Sequence, residues 1–216
     1  MNDDEEVPES RASVHKVSAD PAAQSPAASY ALLVSSIVPR PIALVSTISR
    51  EGVTNLAPFS FFNAICADPP VICFAVGNRV PAKDTIANIR AGGEFVVNIV
   101  SETMAERMNL CAGEYPAGVS EFAVSGLTPE PSEVVKPPCV LESSMSMECR
   151  LVQIVEVSTR PAGGSLILGE IVRFHFDASM IVNGRMNPEM LCALGRMGGN
   201  EYTRTRDRFE MARPQV

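Results

Sequence analysis

The sequence has no tryptophan, and only two histidines and three tyrosines among its 216 residues. One histidine, His15, lies in an acidic stretch rich in Ala, Ser and Pro, so His175 would have to supply any imidazole chemistry alone. A His-dependent triad is therefore disfavoured, and His175, inside a long strand pattern, reads as a packed or hydrogen-bonded sheet residue. The motifs HExxH, GxxxxGK[ST] and GxGxxG are missing, which removes the usual sequence support for zinc hydrolases, nucleotide kinases and Rossmann dehydrogenases. The six cysteines form no CxxC pair, and runs such as Val71-Ile72-Cys73-Phe74 embed several of them among apolar residues. They read as buried free thiols, with no metal site. No apolar run approaches the roughly 20 residues of a membrane helix, and the N-terminus carries acids where a secretory signal carries bases. A cytoplasmic location without a membrane partner is expected. With 18 basic against 25 acidic residues, a net charge of −7, nothing electrostatic favours nucleic acid either.

Residues 1–28 hold little that is large and apolar, and are expected to form a disordered or loosely draped arm. Residues 29–216 then read as one domain. Ala31-Leu32-Leu33-Val34 suggests a short helix from Tyr30, stopped by Pro39-Arg40-Pro41. Beyond it the signals are mostly those of strands, over residues 42–48, 56–63, 71–76, 94–100, 147–157 and 165–176. Arg50-Glu51-Gly52 reads as a hairpin turn and Arg160-Pro161-Ala162-Gly163-Gly164 as a longer one. In the last strand Leu166, Leu168, Val172, Phe174 and Phe176 share one parity, which predicts a half-buried sheet. Helices are few: Asp84 is placed to cap one over residues 85–90 closed by Gly92-Gly93, and Ser101 to cap one carrying Met104, Met108 and Cys111. Without regular strand-helix alternation, an all-β barrel with short helical insertions is expected over a doubly wound α/β sheet.

A chain poor in acid and base side chains can still catalyse when a cofactor performs the bond change and the protein binds and aligns it. Three segments suit that role. Asn55-Leu56-Ala57-Pro58-Phe59-Ser60-Phe61-Phe62-Asn63-Ala64 mixes apolar residues with hydrogen-bonding ones able to meet the edge of a planar ring; it also fits a core strand ending in a turn. Asn78-Arg79-Val80-Pro81-Ala82-Lys83-Asp84-Thr85 sets two cations and a hydroxyl before a helix start, a sensible phosphate site and equally an ordinary solvated loop. The tail from Gly195 to Pro214 carries Arg196, Arg204, Arg206, Arg208 and Tyr202, which suit an anionic ligand, a dimer interface or a solvated surface.

In this order, with Pro39-Arg40-Pro41-Ile42-Ala43-Leu44-Val45-Ser46-Thr47, Asp68-Pro69-Pro70, Asn88-Ile89 and Gly92-Gly93-Glu94-Phe95-Val96-Val97-Asn98, these segments resemble the flavin reductase-like, FMN-binding split-barrel family. That family includes flavoredoxin-type proteins and reductase components of two-component monooxygenases. The resemblance covers nearly everything after residue 29. It implies a six-stranded antiparallel Greek-key split barrel, homodimeric, with FMN near the subunit interface and NADH or NADPH as co-substrate despite the missing GxGxxG. It further implies Ser46 and Thr47 near the flavin or its ribityl chain, and Ser60, Phe61, Phe62, Asn63 and Ala64 at the isoalloxazine edge. Lys83 and Thr85, with Arg79 from the same loop, would approach the phosphate; Arg40 is a further cofactor-binding residue. A partner monooxygenase is one implied electron acceptor. A non-catalytic FMN-binding electron carrier or sensor would use the same residues.

Overall fold

The structure, a computed structural model, describes residues 15–116 and 118–215. The first half of the expected arm lies outside the described residues. In the rest of it a 3-10 turn, Pro21–Ala23, is capped by Asp20, and helix α1 (Pro26–Ser36) starts at Pro26 rather than at Tyr30. Pro26 at its first position and Ser25, whose Oγ accepts from the Ala28 N–H at 3.2 Å, make that start.

Seven strands form the main sheet: β1 (Ala43–Ile48), β2 (Thr54–Phe59), β3 (Phe62–Ala67), β4 (Pro70–Gly77), β5 (Glu94–Ile99), β6 (Met145–Ser158) and β7 (Gly164–Phe176). Their order is β2-β1-β5-β6-β7-β4-β3, every neighbouring pair antiparallel. The chain is thus mostly β, as expected, but the six-stranded count is corrected to seven. The extra strand arises because the run expected as one strand over residues 56–63 breaks at Ser60-Phe61 and crosses from one sheet edge to the other. Among the described residues no ladder joins those edges, β2 and β3.

The β1–β2 hairpin turns where Gly52 takes φ +86°, with the Ser49 Oγ accepting from the Glu51 and Val53 N–H groups, each at 3.2 Å. In the long β6–β7 hairpin, register shifts at Leu168/Gly169 and Ile171/Arg173 coil the ribbon. One end of β6 thereby pairs with β5, while the far end of β7 pairs with β4.

Inside this curved sheet lie Val45, Phe59, Ile72, Phe74, Phe95, Val97, Cys149 and Ile167. Phe74 is central, its ring centroid 5.1 Å from that of Phe59 and 5.5 Å from that of Phe95. Phe95 lies so close over β7 that a Cβ at Gly169 would stand 2.2 Å from its Cζ, so only glycine fits there. The other face of β1 is covered by α3 (Ala105–Leu110) and α4 (Glu121–Ser125), through Leu44, Leu56, Met104, Met108 and Phe122.

Several local expectations are corrected. In β7 the inward row is Ser165, Ile167, Gly169 and Ile171, while Leu166, Leu168 and Val172 are only half-buried and Phe174 and Phe176 are exposed. The shared parity was correct and its direction reversed. Helix α2 (Asp84–Gly92) is capped by Lys83 rather than Asp84, and Gly93 at φ +70° closes it. Ser101 leads into a 3-10 turn without capping it, its Oγ being 2.9 Å from the Thr103 hydroxyl. All six cysteines are free; Cys111, Cys139 and Cys149 are buried, Cys73 and Cys192 half-buried, and Cys66 exposed. No helix among the described residues is long and apolar enough to cross a membrane.

Candidate functional site

Strand β2, the start of α2 and the start of α4 meet around a cleft of about 120 Å³, whose charged and polar lining is Asn55, Arg79, Lys83, Asp84, Thr85 and Glu121. Its floor is a buried hydrogen-bond cluster. The Asn55 amide donates to Thr47 Oγ1 at 3.3 Å and to Thr85 Oγ1 at 3.1 Å, and the Asn88 amide donates to Thr47 Oγ1 at 3.0 Å. Register dictates this: Thr47 and Asn55 are direct cross-strand partners, and α2 packs against both strands.

Lys83 heads α2, whose first turn receives no side-chain cap, so its N–H groups are free to meet an anion. The Lys83 ammonium lies over the Phe59 ring, 5.7 Å from the centroid, and no acidic side chain pairs with it among the described residues. Arg79 is engaged: it pairs with Glu114 at 3.2 Å and donates to the Pro81 carbonyl at 3.3 Å. Glu121 is buried and accepts from the Leu56 N–H at 2.9 Å, satisfying an edge strand. Burial pushes its carboxyl above the usual carboxylate range, Asp84 adds to that, and the Leu56 hydrogen bond works against it.

The chain leaves β2 through Ser60-Phe61 into β3, an edge strand whose residues after Phe62 are all exposed although it reads Asn63-Ala64-Ile65-Cys66-Ala67. Phe61 is exposed, and the Asn63 side chain accepts from the Ala64 N–H at 2.9 Å. Thr47 and Thr85 thus meet Asn55 near the start of β2, Arg79 and Lys83 line the same cleft, and the Lys83 ammonium reaches Phe59 at the end of the strand, after which Ser60, Phe61, Phe62, Asn63 and Ala64 follow.

Two further expected residues are already engaged: Arg40 beside Ser60, with its guanidinium 5.9 Å from the Phe61 ring centroid, and Ser46 on the far face of β1. Arg40 is buried and donates to Val34 O at 2.5 Å, Ile37 O at 2.8 Å, Met197 O at 2.9 Å and Ser60 Oγ at 3.4 Å. Its guanidinium pins α1 and the tail to the Ser60 bend. Ser46 has the opposite parity from Thr47; it is buried and donates to the Pro138 carbonyl on the other face of β1. Sequence alone does not single out Asn55, Asn88 or Glu121: the two asparagines lie within the segments that carry the family resemblance, whereas nothing local marks Glu121.

On the outer face of β6 and β7, the fully buried Glu148 accepts from the N–H groups of Glu133, Val134 and Val135 at 2.7, 2.7 and 2.8 Å. His175 Nε2 lies 2.5 Å from Oε1, the oxygen that also accepts from Glu133, in keeping with a hydrogen-bonded sheet histidine. Burial alone raises the Glu148 carboxyl, but these partners outweigh it and hold the group below the usual range. Cys139 completes a cluster whose ligand atoms lie within 4.8 Å of one another. The carboxylate is already saturated by its present donors.

With this geometry in place, the comparisons define the class. The sequence profile of the family described as "Flavin reductase like domain" matches residues 34–188, and the chain belongs to that family. Nitrilotriacetate monooxygenase component B from Bacillus cereus is 36% identical, with a TM-score of 0.89 over 92% of this chain and 100% of that one. The 2-nitrobenzoate 2-nitroreductase NbaA of Pseudomonas fluorescens is 34% identical, with a TM-score of 0.84 over 92% and 96%. A Shewanella frigidimarina flavin reductase structure with a split barrel domain, 24% identical with a TM-score of 0.80 over 89% and 96%, shares the fold.

Proposed function

We propose that the protein is an NAD(P)H-dependent flavin oxidoreductase that binds FMN, with the phosphate in the Lys83–Thr85 cleft and the ring along the Ser60–Ala64 edge. The observation that carries this reading is the Lys83 ammonium, without an acidic partner among the described residues, at an uncapped helix start and over Phe59, where β2 runs into an exposed apolar edge. The donor set suits a phosphate monoester: an ammonium, a hydroxyl and helix N–H groups in one cleft.

Edge strand β3 is the second support. A strand exposing Ile65 beside exposed Phe61, with Leu32, Leu33 and Ile37 exposed on or just after α1, is a surface that a monomer seldom leaves to water. A second copy of the chain is the proposed cover, which makes the protein a homodimer with each ring site closed by the partner.

When bound, the flavin supplies hydride acceptance from NADH or NADPH and passage of electrons onward. Lys83 and the α2 N–H groups hold the phosphate; the backbone around Ser60–Ala64 offers hydrogen bonds to the ring edge; Phe61 and Phe62 exclude water beside it. Alignment of two rings is the main contribution, because it replaces a solution encounter. No side-chain base is required, which agrees with the scarcity of histidine.

The likeness to a monooxygenase component B favours supply of reduced flavin to a partner monooxygenase. A non-catalytic FMN carrier or sensor would use the same site. Adding NADH or NADPH anaerobically to FMN-loaded protein should bleach the flavin absorbance. Tight FMN binding without bleaching by either nucleotide rejects the reductase in favour of the carrier.

A further inference from the structure

Acids outnumber bases around the cleft assigned to the phosphate. Asp84 and Glu121 line it together with Arg79 and Lys83, and Glu114 is already paired with Arg79 at 3.2 Å. Asp84 stands at the first position of α2, where it offsets the positive end of the helix. A doubly charged phosphate would therefore enter a cleft that carries no surplus of positive charge.

Glu121 is the unusual member. One oxygen, Oε2, is held by the Leu56 N–H at 2.9 Å. The residue is buried, yet its carboxyl group has no basic partner among the described residues and borders the cleft. The titratable and charged groups that share the cleft with it are Lys83 and Asp84 from α2 and its cap, Arg79 from the preceding loop, and Cys111 and Tyr115 from the segment after α3. None of the acids among them welcomes a second negative charge. The other oxygen, Oε1, has no hydrogen-bond partner among the described residues, and a proton taken up there would make it a donor to a phosphate in the cleft.

Resting on the FMN reading above, we propose that Glu121 is a phosphate-binding residue of this cleft, acting as a carboxylic acid that shares one proton with the phosphate, so that FMN binding takes up a proton and riboflavin binding does not. The proton comes from buffer; no bond to carbon or phosphorus changes. The raised position of the Glu121 carboxyl agrees with this direction, since burial already favours its neutral form. Affinity for FMN is then greatest below the pKa of Glu121 and weakens above it, approaching tenfold per pH unit for one linked proton.

Calorimetric titration of the full chain with FMN and with riboflavin, at pH 8 in buffers of differing ionisation enthalpy, reads proton uptake directly. Uptake approaching one proton per FMN, and none for riboflavin, is expected. Glu121→Gln keeps an acceptor for the Leu56 N–H and a permanent donor for the phosphate, so its uptake should vanish while FMN still binds. The ionisation of the phosphate itself, near pH 6, acts on both proteins and divides out between them. Equal uptake by wild type and variant, or none by wild type, overturns the proposal while leaving the phosphate site intact. If FMN binds no tighter than riboflavin from pH 5 to 8, the phosphate reading fails, and this proposal with it. Should the variant not fold, the wild type decides through phosphorus NMR of bound FMN at pH 8: a dianion-like shift alongside uptake of one proton supports Glu121 as its carrier, and a monoanion-like shift overturns the proposal.

Discussion

Replacing Glu148 by glutamine removes a charge without changing the shape of the side chain, and the structure sets the cost. The carboxylate is fully buried and accepts three backbone hydrogen bonds of 2.7, 2.7 and 2.8 Å, besides the 2.5 Å contact with His175. In the amide one oxygen becomes an NH₂ group, which confronts N–H donors or the imidazole instead of accepting from them. Hydrogen bonds to a charged acceptor are worth about 1.5–3 kcal/mol each, and whichever oxygen becomes the NH₂ group loses two of these contacts. A loss of about 3–5 kcal/mol is therefore expected, or roughly 6–20 °C in Tm at this chain length. Thermal melts at pH 7 followed by circular dichroism measure it. The folded carboxyl is held below its ordinary value, so its contribution is complete above the unfolded pKa of about 4.3 and is lost as pH falls through the folded value. The gap between wild type and variant should accordingly close in acid. A variant melting within about 2 °C of wild type at pH 7, or a gap as wide in acid, below the unfolded pKa, as at pH 7, would refute the reasoning.

Three further outcomes are expected. Lys83→Ala should weaken FMN about 10- to 150-fold, the worth of one charge-assisted hydrogen bond, and leave riboflavin unchanged in fluorescence titrations; equal losses for both would move the phosphate elsewhere. Gly169→Ala, which sets a Cβ 2.2 Å from Phe95 Cζ, should cost about 1–3 kcal/mol in denaturant unfolding and be partly rescued by Phe95→Leu. Additive losses in that double variant would contradict the close packing. Ile65→Lys on the exposed edge of β3 should shift sedimentation from dimer to monomer, and an unchanged dimer would put the interface elsewhere.

Much of the sheet is legible in sequence because its strands are short β-branched runs punctuated by turn residues, as at Ser49–Val53 between β1 and β2. The break at Ser60-Phe61 is not, since the stronger local breaker, Pro58, stays inside edge strand β2 opposite Leu44 and the chain turns two residues later. The bend is held from outside, by the Arg40 side chain and by the Ala75 N–H, which donates to Phe61 O at 2.9 Å. The reversed face of β7 has a similar origin. Leu166, Leu168, Phe174 and Phe176 look like a core row, yet the interior there is filled by Phe95 and Phe74 from other strands and leaves room for Ser165 and Gly169. At the cleft, Lys83 and Thr85 stand out because they open a helix. Glu121 reaches Leu56 across 65 positions of the chain, and Glu148 sits between Met147 and Cys149 in what reads as apolar strand. Such residues acquire a role only through the partners that folding gives them.

The central claim is that the cleft at the head of α2 holds the phosphate of FMN while the edge leading into β3 meets its ring. Crystals grown with FMN test it most directly. Density for the phosphate within hydrogen-bond reach of Lys83 and Thr85, and for the ring beside Ser60–Ala64 under a second copy of the chain, is the predicted result. A phosphate bound away from that cleft, with the cleft itself holding only solvent, would contradict the account.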